Sequence, residues 1–481
     1  MTMSSSRMIT ALPRTIIAVI GVMLIFGTII LPARAQVPTP TVTGPIPSLD
    51  PPGLPSHNYP QMASAPMYDL SRLGYIEEEF FFSGTARSYS TPTLADGVVL
   101  SSGHPYKTRL IVRRPSDPSK FNGIVIVEWV NVTSGYNLDL HWEISRDYLT
   151  RSGYAYVGVS AQRVGVQQAP YGLTAWSPAR YGTLDVTDGG TVNNDSLSYD
   201  IFSQAGQAVR NPTGAGVDML AGLQPQLVIA VGGSQSSQRL TLYYNSIHPL
   251  HRVYDGFLPS ILGGPYRTDV GTKLLRVNTE REIVSGEAAR RQPDSDVFRS
   301  WEIAGASHVD YWLMMYRWQL VARDTLAPFD FGCTRPPMSH VNNKYVLNSA
   351  YDHLITWIKQ GIAPPTAQPI LVTSISPLVI PRDANGLVFG GIRLAAVEVP
   401  TATNTGSNGT SSFCVLYGSH EPFSRAKLDA LYPTHGTYTF LVAMATKKNL
   451  NDGFILLDDA NEIFNDAAVS LVGTPHPLPI P

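Results

Sequence analysis

The chain has 481 residues, 43% of them hydrophobic and 15% charged, with 35 basic and 37 acidic side chains and a formal net charge of −2. That length and apolar content support a large buried core, and the near-neutral balance argues against a nucleic-acid partner. No H-E-x-x-H, no paired C-x-x-C and no phosphate-binding Gly-rich loop ending in Lys-Ser/Thr occurs, so no metal or nucleotide cofactor is expected.

Arg7 and Arg14 precede an apolar run from Ile16 to Leu31, and Pro32-Ala33-Arg34-Ala35 gives a small-x-small cleavage site. This reads as a secretory signal peptide over 1–35, with Gln36 as the new N-terminus and a secreted or periplasmic location. A membrane partner is expected only if that segment stays uncleaved, since no second run approaches the roughly 20 apolar residues a spanning helix needs. Without the leader 32 basic residues face 37 acidic ones, a net charge of −5. A proline-rich tether, extended rather than part of the core, is expected over 36–64.

A core domain is expected over 65–365. It opens with strand-like runs between Glu77 and Arg113, in which Glu77-Glu78-Glu79 reads as a solvated edge. A buried strand over 121–130, an amphipathic helix over about 138–151 and a strand over Tyr154–Ser160 follow. A polar and aromatic insertion, about 163–198, carries Tyr171, Trp176 and Tyr181; a loop that long is usually functional, here as a binding surface or a lid, and a lid must come either from it or from the region after His308. A helix over 199–210 then precedes Leu227-Val-Ile-Ala-Val-Gly-Gly, an apolar run ending in two glycines. Strands alternating with helices imply a mostly parallel sheet covered by helices on both faces.

Ser234 follows those glycines, and a segment with helical spacing begins at once. Small-x-Ser-x-small (Gly232, Gly233, Ser234, Gln235, Ser236) between a strand and a helix is the pattern of a nucleophile held clear of a sheet on a turn too tight for bulk. A serine that merely caps a helix gives the same local pattern, so the partners must decide. A serine nucleophile needs a base, the base needs an orienting acid, and in this fold class they come in the order Ser, acid, His. The strand from Lys273 ends in Glu280 and Glu282; the strand from Phe298 ends in Gly305-Ala-Ser-His308. Only one carboxylate can orient the imidazole, so at most one of the two glutamates serves. Glu282 is the favoured acid, Glu280 the reserve, and Asp255 a third candidate that reads as structural; Ser236 is the reserve nucleophile. His248 and His251 read as packing or surface residues. The N–H of Gln235, and a backbone amide at Asn131 or its neighbours Val130 and Val132, are the candidate oxyanion donors.

Past His308, helices are expected over Tyr311–Arg323 and about 344–360. An appendage over 366–481 then packs on the core, with strand-like pieces at 369–380 and 387–399, a Gly/Ser/Asn loop at 402–412 and about three helices. In an oxidising compartment Cys333 and Cys414 are expected to pair, closing a loop of about 80 residues and tying the appendage to the core.

Val127-Glu-Trp-Val-Asn-Val-Thr-Ser-Gly, Val159-Ser-Ala-Gln, Ser198-Tyr-Asp-Ile-Phe-Ser-Gln, Gly233-Ser-Gln-Ser and Arg382-Asp-Ala-Asn-Gly-Leu-Val-Phe-Gly-Gly-Ile-Arg-Leu resemble the alpha/beta hydrolase domain-containing family from about Glu77 to near the C-terminus. The resemblance implies an α/β-hydrolase core with a Ser/acid/His triad on Ser234, Glu282 and His308. Ser237 departs from it, standing where glycine is expected. The expectation is a secreted serine esterase acting on a small or polymeric ester. The alternatives are a non-catalytic binding protein of the same fold, or a peptidase or thioesterase using the same triad.

Overall fold

The computed structural model describes residues 1–2, 37–64, 68–326, 332–409 and 413–474. The signal peptide expected at 1–35 therefore lies, apart from Met1 and Thr2, outside the described residues. Among those residues no helix is long and apolar enough to cross a membrane.

A nine-stranded sheet organises the described residues in the order β1-β2-β3-β5-β4-β6-β7-β8-β9. The strands are β1 (Thr41–Thr43), β2 (Tyr75–Tyr89), β3 (Val99–Pro115), β4 (Ile124–Trp129), β5 (Ala155–Val159), β6 (Leu227–Gly233), β7 (Gly256–Ser260), β8 (Lys273–Thr279) and β9 (Phe298–Ile303). From β5 to β9 all neighbours are parallel; β1, β2 and β3 form an antiparallel wing joined to β5. The central parallel strands are largely apolar runs, Ile124–Val127 of β4 and Leu227–Val231 of β6 above all, because both faces are buried. Val125, Val127 and Trp129 join one core with Phe202 of the helix α2 (Ser198–Arg210). Ile124 and Ile126, pointing the other way, join a second core with α1 (Leu140–Arg151).

From β4 the chain crosses to β5 on one side and returns to β6 on the other. The carboxyl ends of β4 and β6 thus flank the point where strand order reverses, which is where open α/β sheets hold their ligands. The loop at Asn131 leaves β4 there, and Ser234 leaves β6 there.

Residues 37–64 are not a free tether. β1 pairs with the edge of β2, and Val37, Val42, Tyr59 and Met62 are buried. Tyr59 donates its hydroxyl, and Met62 its N–H, to the Asp324 carboxylate at 3.1 and 2.7 Å. Proline-rich backbone is already extended and suits a sheet edge, and the apolar residues spaced between the prolines supply the burial. Nor is Glu77–Glu79 a solvated edge, because β3 brings arginines against it. Arg113 faces Glu77 in register and binds it at 2.6 Å, Arg114 binds Glu78 at 2.5 Å, and Glu79 is buried with Arg180 and Tyr181. The insertion at 163–198 folds into short helical turns whose Leu173, Trp176 and Tyr181 enter the core.

The appendage meets the carboxyl ends of β8 and β9 through Arg382, Ile392 and Leu416, and its helix Leu457–Val469 packs beside α1, where Arg151 pairs with Asp459. A ribbon of Ala402–Thr405 with Ser419–Pro422 replaces the start of the loop expected at 402–412. Of the strand-like pieces only the two-residue pair Ser374–Ile375 with Leu378–Val379 forms, and Ala395–Glu398 is a helical turn. Three helices follow: Arg425–Leu431, His435–Asn451 and Leu457–Val469. A disulfide joins Cys333 to Cys414, with Cα atoms 5.5 Å apart.

Candidate active site

The turn after β6 is as tight as its glycines require. Ser234 has φ 60° and ψ −124°, a conformation costing on the order of 1–3 kcal/mol that persists only where the surroundings enforce it. They do so from several sides. A Cβ on Gly233 would stand 2.9 Å from Leu140 Cδ1, and one on Gly232 would meet the Ser236 carbonyl oxygen at 3.1 Å. Ser234 N–H donates to the Ser260 carbonyl of β7 at 3.0 Å. Leu140 is in turn fixed by α1, whose first N–H groups, at His141 and Trp142, donate to the buried Glu128 carboxylate of β4. Beneath the turn, His141 Nε2 lies 3.0 Å from Ser260 Oγ and His141 Nδ1 lies 2.7 Å from Tyr351 Oη. Burial holds this imidazole neutral, its pKa lowered to about 3.

Ser234 opens α3 (Gln235–Leu242), yet its side chain makes no capping hydrogen bond. Its Oγ instead lies 2.8 Å from His308 Nε2, and His308 Nδ1 lies 2.7 Å from Glu282 Oε1. The other Glu282 oxygen accepts from Thr279 N–H at 2.9 Å and Thr279 Oγ1 at 2.5 Å, in the first turn of a short helix after β8. Burial alone would raise the Glu282 pKa. The hydrogen bond and charge of His308, with the two Thr279 donors, outweigh it and hold the carboxyl below its ordinary range. Exposure falls along the line from 8% at Ser234 to 5% at His308 and 1% at Glu282, so the hydroxyl faces outward and the acid is sealed behind the imidazole.

The reserve candidates lie elsewhere. Glu280 points away from His308: its Oε1 accepts from Arg382 Nη2 at 2.6 Å and Gly406 N–H at 3.0 Å, its Oε2 from Gly305 N–H at 3.0 Å. Ser236 Oγ is fully buried, donates to the Gly233 carbonyl at 2.9 Å and braces the turn. Asp255 accepts from Arg210 Nη2 and Val228 N–H at the amino end of β6, remote from Ser234. Ser237 donates to the Leu262 carbonyl at 2.9 Å, so the hydroxyl in place of glycine is satisfied and buried. His248 and His251 are packing residues.

Gln235 N–H belongs to the first turn of α3 and has no intrahelical acceptor. The Asn131 backbone N–H, by contrast, is committed to the Leu138 carbonyl at 2.8 Å, because a short bridge closes the loop there. Asn131 contributes through its side chain instead: Nδ2 donates to the Gly233 carbonyl at 3.1 Å and ties the β4 loop to the serine turn. Of its neighbours, Val130 N–H points at the Val159 carbonyl at 3.4 Å. That leaves Val132 as the candidate second donor.

Ser234 and His308 open on a cavity of about 420 Å³. Leu138, Leu140 and Ile261 line its floor; Met314, Arg317 and Val321 come from the helix Tyr311–Asp324, and Tyr171 is the insertion's one contribution. Arg317, nine-tenths buried, is paired with the buried Glu143 carboxylate at 2.9 and 2.5 Å. Phe413, Leu416 and Tyr417 of the appendage complete the wall. No local pattern marks these three in the sequence, beyond Cys414 standing among them.

A family model described as "Alpha/beta hydrolase domain" matches residues 42–465. No curated protein matches the chain. Among solved structures it is similar to a cold-adapted esterase from an Arctic intertidal metagenomic library, at 9% identity over 52% of this chain and 93% of that one, TM-score 0.27. It is also similar to oligopeptidase B from Trypanosoma brucei with covalently bound antipain, at 8% identity over 53% of this chain and 44% of that one, TM-score 0.26. A third is acetyl xylan esterase 1 from Thermoanaerobacterium sp. JW/SL YS485, at 13% identity over 41% and 50%, TM-score 0.23.

Proposed function

The chain belongs to the alpha/beta hydrolase domain family, and we propose that this member is a serine hydrolase cleaving carboxylic esters through an acyl-enzyme on Ser234. One observation carries the reading: an unbroken line of hydrogen bonds from Ser234 Oγ through His308 to Glu282, opening on an apolar-walled cavity. Ser234 Oγ attacks the ester carbonyl while His308 Nε2 takes its proton. Glu282, ionised and buried against Nδ1, holds the imidazole in the required tautomer and steadies the imidazolium. The Gln235 and Val132 N–H groups receive the oxyanion; losing one such donor typically costs about 3–4 kcal/mol of barrier. His308 then protonates the leaving alkoxide, and a water activated by the same nitrogen releases the acid and restores Ser234.

The leader pattern and the Cys333–Cys414 disulfide support a place outside the cytoplasm, secreted or periplasmic. A fluorophosphonate probe should label the wild-type chain on Ser234. Ser234→Ala should abolish labelling and lower turnover of an activated ester by about 10⁴- to 10⁶-fold with the far-UV spectrum unchanged. Full turnover in the alanine variant would end the assignment.

A further inference from the structure

We propose that the turn Phe413–Tyr417, clamped by the Cys333–Cys414 disulfide, is the element that selects among substrates by the size of the apolar group next to the scissile bond. The proposal rests on the serine-hydrolase reading and extends it to the appendage.

Three observations converge. Phe413, Leu416 and Tyr417 line the same cavity as Ser234 and His308, although they lie more than 100 residues beyond the histidine. The turn is bonded directly to the histidine's loop: Val309 N–H donates to the Leu416 carbonyl at 3.0 Å, and a Cβ on Gly418 would press on Ser307 Cβ at 2.8 Å. Its other side is held by Ser339 N–H, which donates to the Tyr417 carbonyl at 3.0 Å, and by Cys414 itself, one residue after Phe413. Phe413 is 45% exposed and projects where the cavity meets solvent, while Tyr417 is buried. A large apolar side chain half in water at the mouth of an apolar cavity is placed to meet a ligand rather than to hold the fold. The cavity's other walls come from the β4 loop, Leu140 of α1, Tyr171 of the insertion, Ile261 just past β7 and the helix Tyr311–Asp324. The turn is the one wall whose position depends on a covalent clamp between distant parts of the chain.

Shape-based selection in an apolar pocket is graded, with one methylene worth on the order of tenfold to two-hundredfold in kcat/KM. Removing the Phe413 ring widens the mouth, so Phe413→Ala should move the optimum toward bulkier acyl or alcohol groups. The double variant Cys333→Ser/Cys414→Ser releases the turn and should flatten the profile.

The test is a panel of esters of graded acyl and alcohol size, read as kcat/KM relative to the smallest member. It is run on wild type, the Phe413→Ala variant, the double-serine variant and a control, Phe440→Ala, on the helix His435–Asn451 remote from the cavity. Thermal melts establish that each variant is folded. The expected result is a shift of the large-to-small ratio by about fivefold or more in Phe413→Ala, a smaller spread across the panel in the double variant, and the wild-type profile in the control. Unchanged profiles in both the Phe413→Ala and the clamp variant would overturn the proposal while leaving the hydrolase reading standing. Wild-type chain that neither reacts with a fluorophosphonate nor turns over any ester would overturn the parent reading and this one with it.

Discussion

Glu280 and Glu282 are chemically identical and two residues apart, yet the structure gives them unrelated work. Both open the short helix Glu280–Val284, where two positions amount to about 200° of rotation and so face opposite ways: one carboxylate meets His308, the other meets Arg382 and two backbone amides. The sequence could rank them by the usual placement of the acid a short turn after its strand. The Thr279-x-x-Glu282 spacing of a capping box is a further sequence signal, and through it Glu282 reaches back to accept from the Thr279 N–H and hydroxyl. The contrast is testable. Glu282→Gln should lower kcat by on the order of 10³–10⁴-fold with little change in unfolding midpoint. Glu280→Gln should do the reverse, costing about 1–3 kcal/mol in urea unfolding, because the buried carboxylate that accepts from the Gly305 and Gly406 N–H groups and from the solvent-reaching Arg382 is replaced by an amide that cannot satisfy all three donors. Equal losses of activity in the two variants would refute the division. The Asn131 amide shows the opposite lesson: the loop was legible, but which of three consecutive N–H groups stayed free depended on a bridge to Leu138 that no local pattern announces.

At the scale of elements, the central strands β4 and β6 were readable because burial on both faces leaves a long apolar run. The strand–turn–helix around Ser234 was readable because only small residues fit it. The wing and the appendage were harder. Prolines and paired charges imitate solvated chain when the partner strand is unknown, and β1 and Glu77–Glu79 were misjudged for that reason. The serine turn invites its own test. Gly233→Ala places a methyl 2.9 Å from Leu140 Cδ1 and 3.3 Å from Ser260 Oγ. The strain should cost about 1–3 kcal/mol in stability. Leu140 Cβ stands at 3.2 Å as well, so turning the Leu140 side chain relieves only part of the strain; Ser234 should drift from His308, and kcat should fall at least tenfold, more than KM changes. Steady-state kinetics beside a denaturant titration would check both, and unchanged kcat would show that the turn tolerates bulk.

For the molecule as a whole, the buried network beneath the turn sets a response to acid. His141 takes up a proton near pH 6.5 when unfolded but only near pH 3 when folded, because burial penalises the charged ring. The unfolded chain therefore binds more protons between those values, and His141's contribution to stability is complete above pH 6.5 and lost as the pH falls toward 3. Glu128, pushed well above its ordinary range by burial, acts in the opposite sense, so the clean measure is a difference. The stability of wild type minus that of His141→Gln should decline by about 1.4 kcal/mol per pH unit across the window. A constant difference from pH 6.5 to 4 would mean that the imidazole is not sealed from solvent.

Glu280 also ties the site to time. Its partners Arg382 and Gly406 lie 102 and 126 residues further along the chain. A ribosome that has just released His308 has yet to make them, and the carboxylate beside the nascent centre is meanwhile without its counter-charge. The packing around this carboxylate is thus complete only after the chain has been extended through Gly406.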